Sequence, residues 1–294
     1  MAKAHCQWRV QVHSRRLALT PLPSHSASPI GVFDSGVGGL SVLRALLAEL
    51  PDEQVVYVAD SGHAPYGERD DAYVIERARA ITAHLLTHHH IKALVVACNT
   101  ATAAAIHLLR EQHPQLPIVG IEPALKPAVG LSTTGVIGVM ATRSTLRSDK
   151  FQRLLASLEG QARFVVQPCA GLALAIEQFD TIKIGAACAE YTGAMGSFGI
   201  KTGQIDTLVL GCTHYPFAES HLRAGTGAAV RYLEGGAPVA RQTRRLLQAG
   251  QAICAGRAAG SQQVVFYSTG NPLTLESAAK RWLGLEQSVL PLAV

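Results

Sequence analysis

The stretch Ile91-Lys-Ala-Leu-Val-Val-Ala-Cys98-Asn-Thr100 aligns without gaps with Ile205-Asp-Thr-Leu-Val-Leu-Gly-Cys212-Thr-His214. Ile, Leu, Val and Cys coincide. Each copy is an apolar run closing on a cysteine and two polar residues, as expected of a buried strand that turns into a helix. A second pairing sets Gly31-Val-Phe-Asp-Ser35 beside Gly138-Val-Met-Ala-Thr142. Buried strands of any parallel sheet look alike, which is the plain alternative. The functional reading is two similar halves that face each other. Ligands of open parallel sheets sit beyond the carboxyl ends of the strands, so two such halves would bring both cysteine turns to one cleft.

Outward from these copies the chain alternates strand and helix. Strands are expected at residues 29–33, 54–59, 93–97, 117–121, 135–140, 163–167, 207–210, 229–233 and 264–267. Helices are expected over 40–50, 72–88, 100–112, after Ser144, and over 172–179, 185–196, 239–249 and 272–283. The alternation predicts an α/β fold with mainly parallel sheets flanked by helices on both faces.

Residues 1–28 stand apart. They contain no acid and no continuous apolar segment, which argues against a secretory signal. They read as a disordered N-terminal extension or an over-extended gene start. Lys3, Arg9, Arg15 and Arg16 lie there, ahead of the first acidic residue, Asp34, and supply four of the five excess positive charges. The body of the chain is therefore nearly neutral and carries no basic stripe, so no nucleic-acid partner is expected. No apolar run is long enough to span a bilayer, so no membrane partner is expected. The six cysteines show neither disulfide nor zinc spacing, as in a reduced, cytoplasmic protein.

Cys98 and Cys212 are the reactive candidates. Each is expected at a helix N-terminus, where unpaired N–H groups bind carboxylates and lower a thiol's pKa. Inverting an α-carbon requires proton removal on one face and proton delivery on the other, and two opposed thiols supply both. Cys6, Cys169, Cys188 and Cys254 lack such settings and read as structural. In Asp34-Ser-Gly36-Val-Gly38-Gly39 the third glycine of a dinucleotide loop is missing and no Walker lysine follows. The loop is read instead as a cradle for a small anion, with Ser35 contacting the ligand and Asp34 assisting Cys98 near the reacting carbon. Ala64-Pro-Tyr66-Gly67 is expected to bring backbone N–H groups and the Tyr66 hydroxyl to the same ligand. His84 and His88 have the spacing of a zinc motif, but Leu85 stands where its glutamate would be, so the histidines read as a solvated helix end.

Together, Asp34-Ser-Gly-Val-Gly-Gly39, Pro65-Tyr-Gly67, Ala97-Cys-Asn-Thr-Ala101, Gly120-Ile-Glu-Pro-Ala-Leu-Lys-Pro127 and Gly211-Cys-Thr-His-Tyr-Pro216 resemble the glutamate racemase family from about Pro29 to Leu283. The resemblance implies two pseudo-symmetric α/β domains, residues 29–123 plus 234–294 and residues 124–233, each a mainly parallel sheet flanked by helices, with the active site in the inter-domain cleft. It also implies an isomerase with no metal or organic cofactor, working on L- and D-glutamate in a bacterial cytoplasm to supply D-glutamate for peptidoglycan. It implies that Cys98 acts on D-glutamate and Cys212 on L-glutamate, with Asp34 and His214 assisting them. Ser35, Tyr66, Gly67, Asn99, Thr100 and Thr213 match substrate-binding positions, and Thr142 and Glu177 match further cleft positions. A homodimer is compatible with the family. Some members also interact with DNA gyrase, for which nothing in this sequence speaks. The chain departs from the family's pattern in its N-terminal extension and at Tyr232-Leu-Glu-Gly235.

Overall fold

Four strands form in succession, β1 (Ile30–Asp34), β2 (Val55–Ala59), β3 (Ala93–Val96) and β4 (Ile118–Gly120), before the chain crosses to a second sheet. There it builds β5 (Val136–Ala141), β6 (Arg163–Pro168), β7 (Thr207–Gly211) and β8 (Arg231–Leu233). It then returns to the first sheet with β9 (Val264–Ser268) and β10 (Val289–Pro291). This computed structural model describes residues 26–254, 256 and 263–294. The expectation for the N-terminal extension falls almost wholly outside them, as does Cys6.

The first sheet has the order β10-β9-β2-β1-β3-β4 and the second β6-β5-β7-β8, with every pair parallel. The four-strand unit β2-β1-β3-β4 and its counterpart β6-β5-β7-β8 thus share one topology. β1 corresponds to β5 and β3 to β7, the pairings read from the sequence. In this order the first and third strands are neighbours whose connections leave in opposite directions, which opens a crevice at their carboxyl ends. Asp34-Ser35 and Cys98 leave that point in the first half, and Thr142 and Cys212 leave it in the second.

Both sheets are covered on both faces, as parallel sheets require. Ile30 and Val32 of β1 join Leu40, Leu43 and Leu275 on one face, while Phe33 joins Ile81, Leu85 and Leu109 on the other. In β5, Ile137 and Val139 pack with Leu125 and Phe151, and Met140 packs with Leu172 and Leu222 on the opposite face. The alternation is the period-2 geometry of a strand.

Several helices begin where side-chain caps allow. Asp70 accepts from the Tyr73 N–H ahead of helix Asp71–His89, and Asp180 caps Thr181–Met195. The expected helix after Ser144 is two, Arg143–Arg147 and Asp149–Ala156, because Ser148 is extended and caps the second. At the return crossing, Gly235 lies so close to the outgoing crossing that a Cβ there would stand 2.5 Å from Ile121 Cγ1. No described helix is long and apolar enough to cross a membrane.

Candidate active site

A cleft of about 580 Å³ opens between the two sheets, within the range of small-molecule sites. Its walls include Ser35, Tyr66, Gly67, Cys98, Asn99 and Thr100 from the first half, and Thr142, Glu177, Cys212, Thr213 and His214 from the second. Eleven of the twelve candidate residues are therefore gathered around one space. The twelfth, Asp34, is fully buried and is not part of the lining.

The two thiols differ in setting. Cys98 is the N-cap of helix Asn99–Gln112, and its Sγ accepts from the Ala101 N–H at 3.5 Å. Its other partner is the Ser35 hydroxyl at 3.9 Å. Burial pushes its pKa well above the usual thiol value, and the nearby Asp34 charge adds to the effect. The expected lowering by the helix end is real in sign but smaller than the cost of burying a thiolate. Cys212 departs from the expectation in a different way. No α-helix follows it directly; a 3₁₀ turn, Tyr215–Ala218, intervenes before helix Glu219–Thr226. Its partner is instead His214, whose Nδ1 lies 3.6 Å from Sγ.

His214 in turn meets Glu177, with Nε2 2.6 Å from Oε1. The same oxygen accepts from the Val37 N–H at 2.7 Å, so Glu177 of the second half is anchored to the first. Burial works against an imidazolium here, but the hydrogen bonds and charges of Cys212 and Glu177 outweigh it and hold the His214 pKa well above the usual histidine value. The chain Cys212–His214–Glu177 has the arrangement of a nucleophile, its base and an orienting carboxylate.

The glycines of the Asp34–Gly39 loop make room for this chain, while Ser35 lines the cleft. A Cβ on Gly36 would lie 1.8 Å from Glu177 Oε1, and one on Gly38 would lie 2.3 Å from His214 Nδ1. The glycines let Glu177 and His214 press against the loop backbone. Asp34 ties the loop from below: Oδ2 accepts from the N–H groups of Gly36 and Gly39 at 3.2 and 2.9 Å, and Oδ1 accepts from Thr213 Oγ1 at 3.3 Å. Its carboxylate is thus spent on the loop and on Thr213, behind the cleft wall. Burial raises its pKa to about 6, partly offset by the charge of His214.

That shift has a sign for stability. A carboxyl whose pKa rises on folding stabilises the fold below its unfolded value near 3.8 and loses that contribution as pH climbs through about 6. Asp34→Asn keeps an oxygen for the two N–H groups and offers an amide to Thr213. It is expected to raise stability at neutral pH by roughly 3 kcal/mol, with the advantage over wild type shrinking between about pH 6 and pH 4. Urea midpoints across that window check this. An advantage that does not vary with pH would show that charge burial is not its cause.

The Tyr66 hydroxyl is also committed elsewhere. It donates to Asp60 Oδ2 at 2.5 Å, and Asp60 is further held by both Arg77 Nε and Nη2 at 2.9 Å and by Thr269 at 2.7 Å. The ring is 1% exposed. With its proton given to Asp60, the Tyr66 hydroxyl has no hydrogen left to donate to a ligand in the cleft that the residue lines. Tyr66→Phe should cost about 1–2 kcal/mol of stability and leave KM for glutamate near that of wild type. A large rise in KM would overturn this placement.

Asn99 shows the opposite condition. It is 5% exposed, lines the cleft, and neither its amide nitrogen nor its oxygen has a partner. Buried polar atoms are almost always satisfied, and this amide is placed where it can both donate to and accept from a group in the cleft. Thr100 and Thr142 carry hydroxyls 3.1 Å apart across the two halves.

Sequence reading passed over some of the lining. Cys169, which the sequence reads as structural, is in the lining, as are Arg69, Arg143 and Arg147 at the rim, and only the alignment of β5 with β1 could have pointed to residues 143–147. His88 Nδ1 lies 2.8 Å from Thr87 Oγ1 and 3.2 Å from the His84 carbonyl oxygen. Among the described residues no group of three His, Cys, Asp or Glu side chains is placed to hold a metal ion.

The family model for Asp/Glu/hydantoin racemases matches residues 30–243, which contain every residue of the site. A glutamate racemase of Ectopseudomonas mendocina is 45% identical over 269 residues, spanning 90% of this chain and 98% of its own. The chain belongs to the glutamate racemase family. Solved structures agree with that membership. A glutamate racemase of Bacillus anthracis superposes with a TM-score of 0.79 at 32% identity, covering 92% of this chain and 99% of its own. The Escherichia coli glutamate racemase, solved with L-glutamate and the activator UDP-MurNAc-Ala, gives 0.76 at 29% identity, with 91% and 99% covered. The two parallel sheets described above are the fold of this family.

Proposed function

We propose that this racemase interconverts L- and D-glutamate without a cofactor, with Cys212 acting on the L face of the α-carbon and Cys98 on the D face. The observation that carries this reading is a single cleft lined by both thiols, one from each topologically equivalent strand end. The two halves are read as domains spanning 29–123 plus 234–294 and 124–233. Ser35, Gly67, Asn99, Thr100, Thr142 and Thr213 supply hydroxyl, amide and backbone groups suited to two carboxylates and an ammonium. Tyr66 shapes the wall, and Asp34 acts on the thiols through Thr213 and the loop.

The settings of the thiols suggest how a turnover starts. His214, held well above the usual histidine value and oriented by Glu177, stands 3.6 Å from the Cys212 sulfur as its proton partner, while burial keeps Cys98 a neutral thiol. With L-glutamate bound, the Cys212 thiolate takes the α-proton, the Cα–H bond breaks and an S–H bond forms. Cys98 then delivers its proton to the opposite face. Two protons have moved in the same sense, and the thiols have exchanged states, so the enzyme is set for the reverse direction until they re-equilibrate with solvent. Closure of the cleft on the substrate would exclude water from the carbanion.

The cellular reading follows from the product: D-glutamate for peptidoglycan, made in the cytoplasm. The test is chiral analysis of glutamate after incubation with reduced enzyme in deuterated water and no added cofactor. Racemisation with deuterium at Cα is expected. Preference for aspartate would overturn the substrate assignment, and failure to racemise without an added cofactor would overturn the mechanism.

A further inference from the structure

Two phenylalanines outside the cleft lining follow closely on the members of the Cys212 chain. Phe179 stands just after Glu177, and Phe217 just after His214. Both rings rest on one indole, that of Trp282. Phe217 stacks on it with centroids 3.8 Å apart and planes within 6°, and Phe179 meets it at 5.4 Å, tilted by 38°. Trp282 belongs to helix Pro272–Leu283, whose Leu275, Ala278 and Ala279 pack into the first sheet's core with Phe266 and Val289. One side chain of the first half therefore braces both segments of the second half that present Glu177 and His214.

The local backbone shows why a brace is needed. Phe179 has φ +54°, the left-handed region that bulky residues avoid. The Arg281 guanidinium, next to Trp282 in sequence, lies 5.7 Å over the Phe179 ring and adds a second hold from the same helix. The Phe217 N–H donates to the His214 carbonyl at 3.0 Å, so a shift of Phe217 is transmitted to His214 through a single turn. The imidazole itself is packed between Gly38 and Glu177 and has no slack.

The geometry points to Trp282 as a positioning residue for the Cys212 half of the reaction, acting through Phe217 on His214 and through Phe179 on Glu177. This rests on the assignment of Cys212 to the L face made above. Cys98, on the helix of the first half, is outside the reach of this brace.

The experiment compares wild type with Trp282→Ala and Trp282→Phe, using glutamate deuterated at Cα in each configuration. Trp282→Ala should lower kcat about ten-fold, as a sub-ångström misplacement does, and Trp282→Phe, which keeps an aromatic platform, should recover most of it. The distinguishing readout is the primary isotope effect. It should rise for L-glutamate, whose deuteron Cys212 removes, and fall for D-glutamate, whose deuteron Cys98 removes in a step no longer limiting. A variant that lowers kcat and leaves both isotope effects at their wild-type values, or moves both alike, would overturn the proposal, as would wild-type kcat in both variants. The reverse pattern would support the link between Trp282 and one thiol while overturning the assignment of faces. Absence of racemisation in the wild-type chain would overturn both readings together.

Discussion

Cys98→Ala and Cys212→Ala are each expected to lower racemisation by about 10³-fold or more in both directions, the scale of losing an acid–base group. Every turnover uses both sulfurs, so neither direction can be spared. Exchange should survive selectively. Cys98→Ala keeps the Cys212–His214–Glu177 chain and should still wash solvent deuterium into L-glutamate without forming the D enantiomer. Cys212→Ala should do the converse with D-glutamate, and more slowly, because burial disfavours the Cys98 thiolate. Mass spectrometry of each enantiomer after chiral separation reads this directly. Racemisation within ten-fold of wild type in either variant would end the two-thiol reading. Both variants should fold: Cys98→Ala removes a cap bond to Ala101, worth about 1 kcal/mol, and Cys212 is not a cap.

Gly38→Ala should be nearly as damaging, by a route that involves no chemistry at position 38. The new methyl would stand 2.3 Å from His214 Nδ1 and 2.5 Å from Cε1. The ring cannot retreat, since Glu177 Oε1 is 2.6 Å from Nε2 on its far side. Relief requires the loop or the imidazole to move, and kcat should fall about 100-fold with about 1–3 kcal/mol lost from overpacking. KM should change little, because His214 is assigned to the thiol and not to substrate capture. Gly36→Ala, aimed at Glu177, should behave similarly. Steady-state kinetics beside a thermal melt separates the two effects. A folded Gly38→Ala enzyme with wild-type kcat would show that His214 does not serve Cys212.

The sequence was most informative where period and repetition coincide. The matched runs ending in Cys98 and Cys212 are β3 and β7, and the weaker match of residues 31–35 with 138–142 is β1 and β5. Nearly all helices and strands were visible because apolar periodicity is strong in fully covered sheets. What escaped were elements without a periodic signature. β10 is three residues long, helix Leu125–Leu131 carries Pro127, and helix Glu219–Thr226, also unforeseen, is a short one behind a 3₁₀ turn. The 3₁₀ turn after Cys212 breaks the symmetry that the sequence suggested. In the site, the residues were legible but their directions were not. Asp34 turns to Thr213, 179 residues away, and Tyr66 turns back across its own loop to Asp60, which Arg77 also holds, and no periodic pattern encodes such pairings. The loop glycines looked like a ligand's cradle because a close approach by a side chain and a close approach by an anion demand the same missing Cβ.

Gly235 and Ile121 lie against each other where the backbone passes from one sheet to the other and back. Two passages that touch give the halves a common line, as the spine gives the covers of a book, and the hydrogen bonds from Val37 to Glu177 and from Thr213 to Asp34 fasten those covers along the opposite margin.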